Sequence, residues 1–199
     1  RSIVLVTGIV FGLGIAALAV RWGLADSHFD AAHKNMQQWN EGKTSEEDWS
    51  NAYNEMVQAL RLDPGHPAYL QRISYLMTIR MRMTPEEAKV FGAKGLEYIE
   101  HYVEVRPQWP SAWAGLAILK YQLEEYDAHF NEAIVNATVY GPWEPDVLSQ
   151  VTAVGVGAWQ HLPDATRTVV LDNIGRGLRS RVSASICCCT CCKDCSVAG

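Results

Sequence analysis

The side chains able to do chemistry are few and scattered along the chain. Six histidines stand at positions 28, 33, 66, 101, 129 and 161. Asp30-x2-His33 sets a carboxylate and an imidazole one turn apart on one helix face, the spacing that metal ligands use. A single pair falls short of the three or four ligands that a zinc site needs, so it reads as an exposed surface pair. Glu97-x2-Glu100-His101 and Glu124-Glu125-x3-His129 are ordinary for charged helix faces. Two carboxylates can cleave a glycosidic bond when a site holds them at the right separation, but nothing in the sequence isolates such a pair. No Gly-rich phosphate loop, Gly-x-Ser-x-Gly elbow or His-Glu-x2-His run occurs. These residues predict a protein that is not an enzyme and holds no metal or cofactor.

Cysteine usage changes abruptly at the C-terminus. Residues 1 to 186 hold none and the last 13 hold six: Cys187, Cys188, Cys189, Cys191, Cys192 and Cys195. Cys-x2-Cys spacing, which suits zinc or an iron–sulfur cluster, occurs three times there. Disulfides and thiol lipidation are further uses, and all four are out of character with the rest of the chain. In a shifted reading frame the cysteine codons decode as an apolar, helix-compatible run. Residues 183–199 are therefore set apart as a Cys-rich tail, unstructured or a frameshift product, and no metal site is assigned to them.

Seven Trp and eight Tyr are many for 199 residues. Aromatic rings fill seams between helices and also stack on sugars. Core packing is the simpler reading; a glycan groove using Trp109, Trp113 and Trp143 is the alternative. Net charge is -5 and no basic stripe gathers on one face, which disfavours nucleic acid.

The elements that must position these residues are punctuated by proline. Leu62-Asp63-Pro64-x2-Pro67, Val105-Arg106-Pro107-x2-Pro110 and Tyr140-Gly141-Pro142-x2-Pro145 each follow an amphipathic run. Proline cannot continue a helix interior but is welcome at its first position. In each motif the first proline stops one helix and the second starts the next. Pro64 to Pro107 is 43 residues and Pro107 to Pro142 is 35. The chain here resembles the tetratricopeptide repeat family, whose period is about 34 residues. Ala52, Ala59, Leu62, Asp63 and Pro64 carry that resemblance. So do Ile73-Ser74-x2-Met77, Trp113-x2-Leu116-Ala117 and Leu123-Glu124-Glu125-Tyr126. The predicted fold is all-α: an N-terminal membrane helix followed by an α-solenoid of about three degenerate helix pairs, over residues 26–182. By tetratricopeptide register the concave, partner-binding face is lined by Gln71, Tyr75, Thr78, Ala114, Ile118, Tyr121, Gln122, Ser149 and Ala153. It is half polar and half apolar, suited to a peptide or a helix of another protein.

Positions 3 to 20 carry no charge. As a helix they span about 27 Å, close to the ~30 Å hydrocarbon thickness. The membrane-facing residues are Ile3, Val4, Leu5, Val6, Ile9, Val10, Phe11, Leu13, Ile15, Leu18 and Val20, with Trp22 at the interface. Residues 1–25 are read as an anchor; a cleaved signal peptide with Gly23-Leu24-Ala25 as its small-x-small site is the alternative. Either places the remainder across a membrane, most simply in a bacterial periplasm.

Further along, Ser27 to Asn40 reads as a separate helix broken by Asn40-Glu41-Gly42-Lys43. Thr44 with Glu47, and Thr84 with Glu87, read as capping boxes. Gly155 and Gly157 lie in a small-residue run that must be packed tightly or be loosely ordered. The last helix starts at Pro163 with Ala165, Val169, Val170, Ile174 and Leu178 inward. Arg72, Arg80 and Arg82 are the one local basic concentration: a solvated helix end, or a site for an acidic partner or anionic lipid headgroup.

The segments RSIVLVTGIVFGLGIAALAVRW, QALRLDPGHPAYLQRISYL and VEVRPQWPSAWAGLAILKYQ give a closer resemblance. A short membrane segment followed directly by degenerate helix pairs is similar to the VpsP-type proteins of bacterial exopolysaccharide gene clusters. The resemblance implies an accessory protein of polysaccharide synthesis or export, anchored in the inner membrane with no catalytic residues to carry over, whose partners are proteins of an envelope polysaccharide complex. A glycan-binding or glycan-cleaving protein and a chaperone adaptor for secreted proteins are the alternatives.

Overall fold

A computed structural model describes residues 2–37, 39 and 44–193, with side chains at 7–37, 39 and 44–179. Its elements are α1 (Ser2–Gln37), α2 (Glu46–Leu62), α3 (Pro67–Met83), α4 (Ala88–Val105), α5 (Pro110–Gln122), α6 (Ala128–Tyr140), α7 (Pro145–Gly157) and α8 (Asp164–Lys193). Short 3-10 turns at Pro85–Glu87 and Trp159–His161 precede α4 and α8. No strand occurs among the described residues. Contacts divide the chain into two units, Arg1–Val105 and Arg106–Gly199.

The three proline motifs do the same local work. Pro67, Pro110 and Pro145 each occupy the first turn of a helix. The turn before each closes on one repeated bond: His66 N–H to Asp63 O (3.3 Å), Trp109 N–H to Arg106 O (3.0 Å) and Glu144 N–H to Gly141 O (3.3 Å). Gly141 needs its missing side chain, because a Cβ there would lie 2.6 Å from Pro110 Cβ.

Unit 1 packs α1 on α2, α2 on α3, and α3 on α4. Its core is Ala25, Ala32, Trp49, Ala52, Met56, Ala59, Tyr69, Ile73, Leu76 and Met77. The Trp49 indole donates to Leu76 O at 2.8 Å, closing a buried polar group. Gly95 is buried in α4 and its carbonyl accepts from Ser74 Oγ at 3.1 Å, so α3 and α4 meet closely there. Unit 2 pairs α5 with α6 and α7 with α8, and α7 also meets α5 and α6. Gly155 abuts the buried Val170 side chain, and a Cβ on Gly157 would collide with the Tyr121 hydroxyl.

Several local expectations change. The membrane segment and the helix from Ser27 are one helix, α1. A lone glycine at 23 costs only about 1 kcal/mol and cannot break a run so well stocked with helix formers. The breaker at 40–43 lies outside the described residues. Ser45, not Thr44, caps α2: its hydroxyl accepts from Asp48 N–H at 3.0 Å. Thr84 makes no cap; its hydroxyl donates back to Arg80 O at 3.1 Å, and a 3-10 turn intervenes before α4. Among the described side chains of α8 the buried ones are Thr166, Val170 and Asn173, while Ala165 and Leu178 are exposed. Asn173 sets that phase by donating to Leu148 O (2.9 Å) and Thr152 Oγ1 (3.0 Å). The α8 backbone crosses the expected boundary at 183 and runs to Lys193; positions 194–199, Cys195 among them, lie outside the described residues.

Candidate functional site

The basic concentration on α3 divides by function. Arg80 is committed to the core. Its guanidinium pairs with Glu46 and lies 4.9 Å from the Trp49 ring centroid and 5.2 Å from that of Phe91. Arg72 and Arg82 instead turn to a groove of about 520 Å³ between the C-terminal turns of α1 and the face of α3. His33, Met36, Gln37, Trp39 and Thr44 line one side, and Arg72, Tyr75, Ile79, Arg82 and Met83 the other. The α3 residues recur at helical spacing, so one face supplies them all. Phe29 underlies the groove: His33 stacks on it, and Arg72 lies 5.7 Å from its ring centroid. Burial pushes the Arg72 pKa below the ordinary arginine value.

The predicted concave residues part company at this point. Tyr75 lines the groove and is 51% exposed. Gln71 is exposed beside it, whereas Thr78 is buried, with its hydroxyl donating to Ser74 O at 3.3 Å. In unit 2, Ala114 is buried, and Ile118, Tyr121 and Gln122 are half-buried. Tyr121 is occupied by its contact with Gly157 of α7. Ser149 and Ala153 line a second groove, of about 380 Å³, together with Pro145, Leu148, Thr152, Ile174, Gly177 and Leu178. Thr78 and Ala114 are therefore packing residues, because at their positions the helix face turns into its neighbour. His33, Met36, Trp39, Ile79 and Met83 were not among the predicted site residues. Of these only Ile79 is signalled, by the 75, 79, 82 spacing on α3.

Of the three tryptophans considered for sugar stacking, Trp113 is 7% exposed and its indole donates to Pro107 O at 2.7 Å. Trp109 and Trp143 remain 50% and 60% exposed. Among the described residues no three His, Cys, Asp or Glu side chains converge as metal ligands would.

Thr7–Gln37 of α1 is long and apolar enough to cross a membrane, and a signal sequence passes the same test. Ile9, Val10, Phe11, Leu13, Ile15, Leu18, Val20 and Trp22 are all exposed, distributed around the whole helix. The side chains of Ile3, Val4, Leu5 and Val6 lie outside those described. Packing against the rest of unit 1 begins at Ala25 and continues through Phe29, Ala32 and Met36.

All-α pairs of this kind, joined at Pro-x2-Pro, define a tetratricopeptide-like helical repeat fold. Among solved structures the chain is similar to the crystal structure of MamA protein, with a TM-score of 0.55, 13% identity, and coverage of 77% of this chain and 73% of that one. At that identity the likeness speaks for the fold. No family model matches the chain, and no curated protein matches it.

Proposed function

We propose that this chain is a non-catalytic, membrane-anchored adaptor that holds protein partners on a tetratricopeptide-like domain. The observation that carries the reading is the two-part character of α1. From Gly8 to Val20 it is apolar and exposed all round, as a span in lipid would be. Its C-terminal part is a buried stripe in the core of unit 1. Removal of residues 1–25 as a signal peptide would take away Ala25, which is fully buried, and the Arg21 contact with Leu62 O. The anchor reading leaves both in place.

Helical repeats of this kind use exposed helix faces to bind other proteins. We place the domain in the periplasm and the partners in an envelope or extracellular polysaccharide complex. This rests on the VpsP-type resemblance of the segments quoted above. Crosslinking the full-length protein in its native membrane tests it. Recovery of polysaccharide polymerases, glycosyltransferases or export components is the expected result. Recovery of glycan without protein would replace the adaptor with a glycan-binding protein, the role to which exposed Trp109 and Trp143 are suited. Recovery of unrelated secreted proteins would make it a chaperone adaptor.

A further inference from the structure

The groove between α1 and α3 has a chemical polarity of its own. Among the described residues no Asp or Glu lines it. Arg72 is half-buried, with the Phe29 ring as its cationic contact. Arg82 is exposed at the other end, nearly three turns along α3. Neither guanidinium pairs with a carboxylate among the described residues, whereas neighbouring Arg80 does. Two further nitrogens of the lining, Trp39 Nε1 and His33 Nδ1, are buried without hydrogen-bond partners among the described residues. Met36, Ile79 and Met83 supply the apolar part of the lining. Hydrogen-bond donors are thus set around an apolar strip in a chain whose net charge is -5, so the local charge runs against the global one.

We infer that the α1–α3 groove binds an acidic amphipathic segment of a protein partner, its apolar side chains on Met36, Ile79 and Met83 and its carboxylates on Arg72 and Arg82. The inference deepens the adaptor reading and rests on it. A guanidinium presents paired donors that match a carboxylate, and a half-buried one without an anion is the less stable state of the site. The depressed pKa of Arg72 is in keeping with that desolvation. A lipid headgroup carries the same anionic chemistry but is badly placed. From Arg21, Phe29 lies about 12 Å up α1 and Met36 about 22 Å at 1.5 Å per residue, both beyond the ~8 Å over which membrane charge is felt at physiological salt. Free phosphate would leave the apolar strip uncovered.

The test uses the full-length protein in phosphatidylcholine nanodiscs and a short fluorescent peptide alternating Leu faces with Glu. A matched peptide carries Gln at every Glu. Fluorescence anisotropy is expected to give about tenfold tighter binding of the Glu peptide, with that preference falling at higher salt. Arg82→Glu, on an exposed side chain that leaves the fold intact, should remove the preference. Arg72→Met, which keeps the stem on Phe29, should weaken it. Arg61→Glu, exposed on α2 outside the groove, should leave it unchanged. Equal binding of the two peptides, or indifference to Arg82→Glu, overturns the inference. Binding of phosphatidylserine vesicles that Arg82→Glu abolishes, without a Glu-peptide preference, overturns it in favour of lipid. If the preference fails while native-membrane crosslinking still recovers defined protein neighbours, the groove assignment falls and the adaptor reading stands. If crosslinking recovers no protein, the adaptor reading falls and takes the assignment with it.

Discussion

Gly155→Ala should destabilise unit 2, although alanine is the better helix former. A Cβ at 155 would lie 2.5 and 2.6 Å from the two Val170 methyls and 3.1 Å from Val170 Cβ. Carbon atoms pack favourably at about 3.5–4.0 Å, so α7 and α8 must separate locally or Val170 must leave its rotamer. Val170 is fully buried and β-branched, hence stiff at χ1. Overpacking of this kind costs about 1–3 kcal/mol, against about 1 kcal/mol regained in helix propensity. The expected net loss is up to about 2 kcal/mol, read by urea unfolding of the full chain in detergent, followed by circular dichroism. Gly177→Ala is the control: nothing lies within 4 Å of its Cβ site, so that variant should gain about 0.5–1 kcal/mol from propensity alone. Val170→Ala alone should cost about 2 kcal/mol through lost burial and a cavity. In the Gly155→Ala background it should cost much less, because it clears the clash. Additive losses, or a Gly155→Ala variant as stable as Gly177→Ala, would show that α7 and α8 do not close on this pair.

Other expectations follow from single contacts. Trp49→Phe should cost about 1–3 kcal/mol, because it removes the buried indole bond to the Leu76 carbonyl and leaves a gap where the larger ring packed; thermal melts check it. Glu124 holds φ 58 at the end of α5, where Glu125 N–H returns to Lys120 O at 2.9 Å in the manner of a helix C-cap that prefers glycine. Glu124→Gly should therefore be neutral or stabilise by up to about 1 kcal/mol in the same melts. Acid should weaken unit 2 through Asp127. Burial opposes its charge, but bonds from Lys120 Nζ (2.8 Å) and Phe130 N–H (2.8 Å) hold its pKa below the ordinary carboxylate value. A depressed pKa gives stability that is present above about pH 4 and lost as pH falls through the folded value. Asp127→Asn should flatten that limb of the stability–pH profile.

Proline and small-residue chemistry made the architecture legible. Each Pro-x2-Pro is a stop and a start whatever surrounds it, so three helix junctions are visible before any packing is considered. Gly95 and Gly155 likewise point to helix contacts, because only close approach repays their helix cost. The capping boxes misled because Ser, Thr and Glu offer several bonds of similar strength, and tertiary position selects among them. Thr84 spends its hydroxyl on Arg80 O instead. The inward face of α8 was misjudged for a related reason. Hydrophobicity favours Leu178, but Asn173 finds two buried partners on α7 and turns the helix toward them. Helical register put Tyr75 on a partner-binding face, and its side chain is exposed on the α1–α3 groove. It could not show that Thr78, three residues on, rolls under the neighbouring helix, nor that α1 supplies the opposite wall.

On the anchored-adaptor reading, the continuity of α1 joins location to recognition. Had a loop separated the apolar segment from the repeat, the groove would have swung freely at a distance set by chain entropy. One uninterrupted helix instead fixes a height: each residue between the apolar segment and the groove adds about 1.5 Å. Ala25, Phe29, Ala32 and Met36 then bolt that helix to α2 and α3 along one stripe. Met36 is both the end of the stripe and a wall of the groove. Inserting residues ahead of Ala25 would therefore raise and rotate the groove by about 100° per residue without altering its walls. An anchored partner of fixed reach would register that change; a freely diffusing peptide would not. Partner crosslinking in the native membrane should consequently be sensitive to such insertions while peptide affinity in nanodiscs is not. Loss of both would mean that α1 is needed for the fold of unit 1 and sets no geometry beyond it.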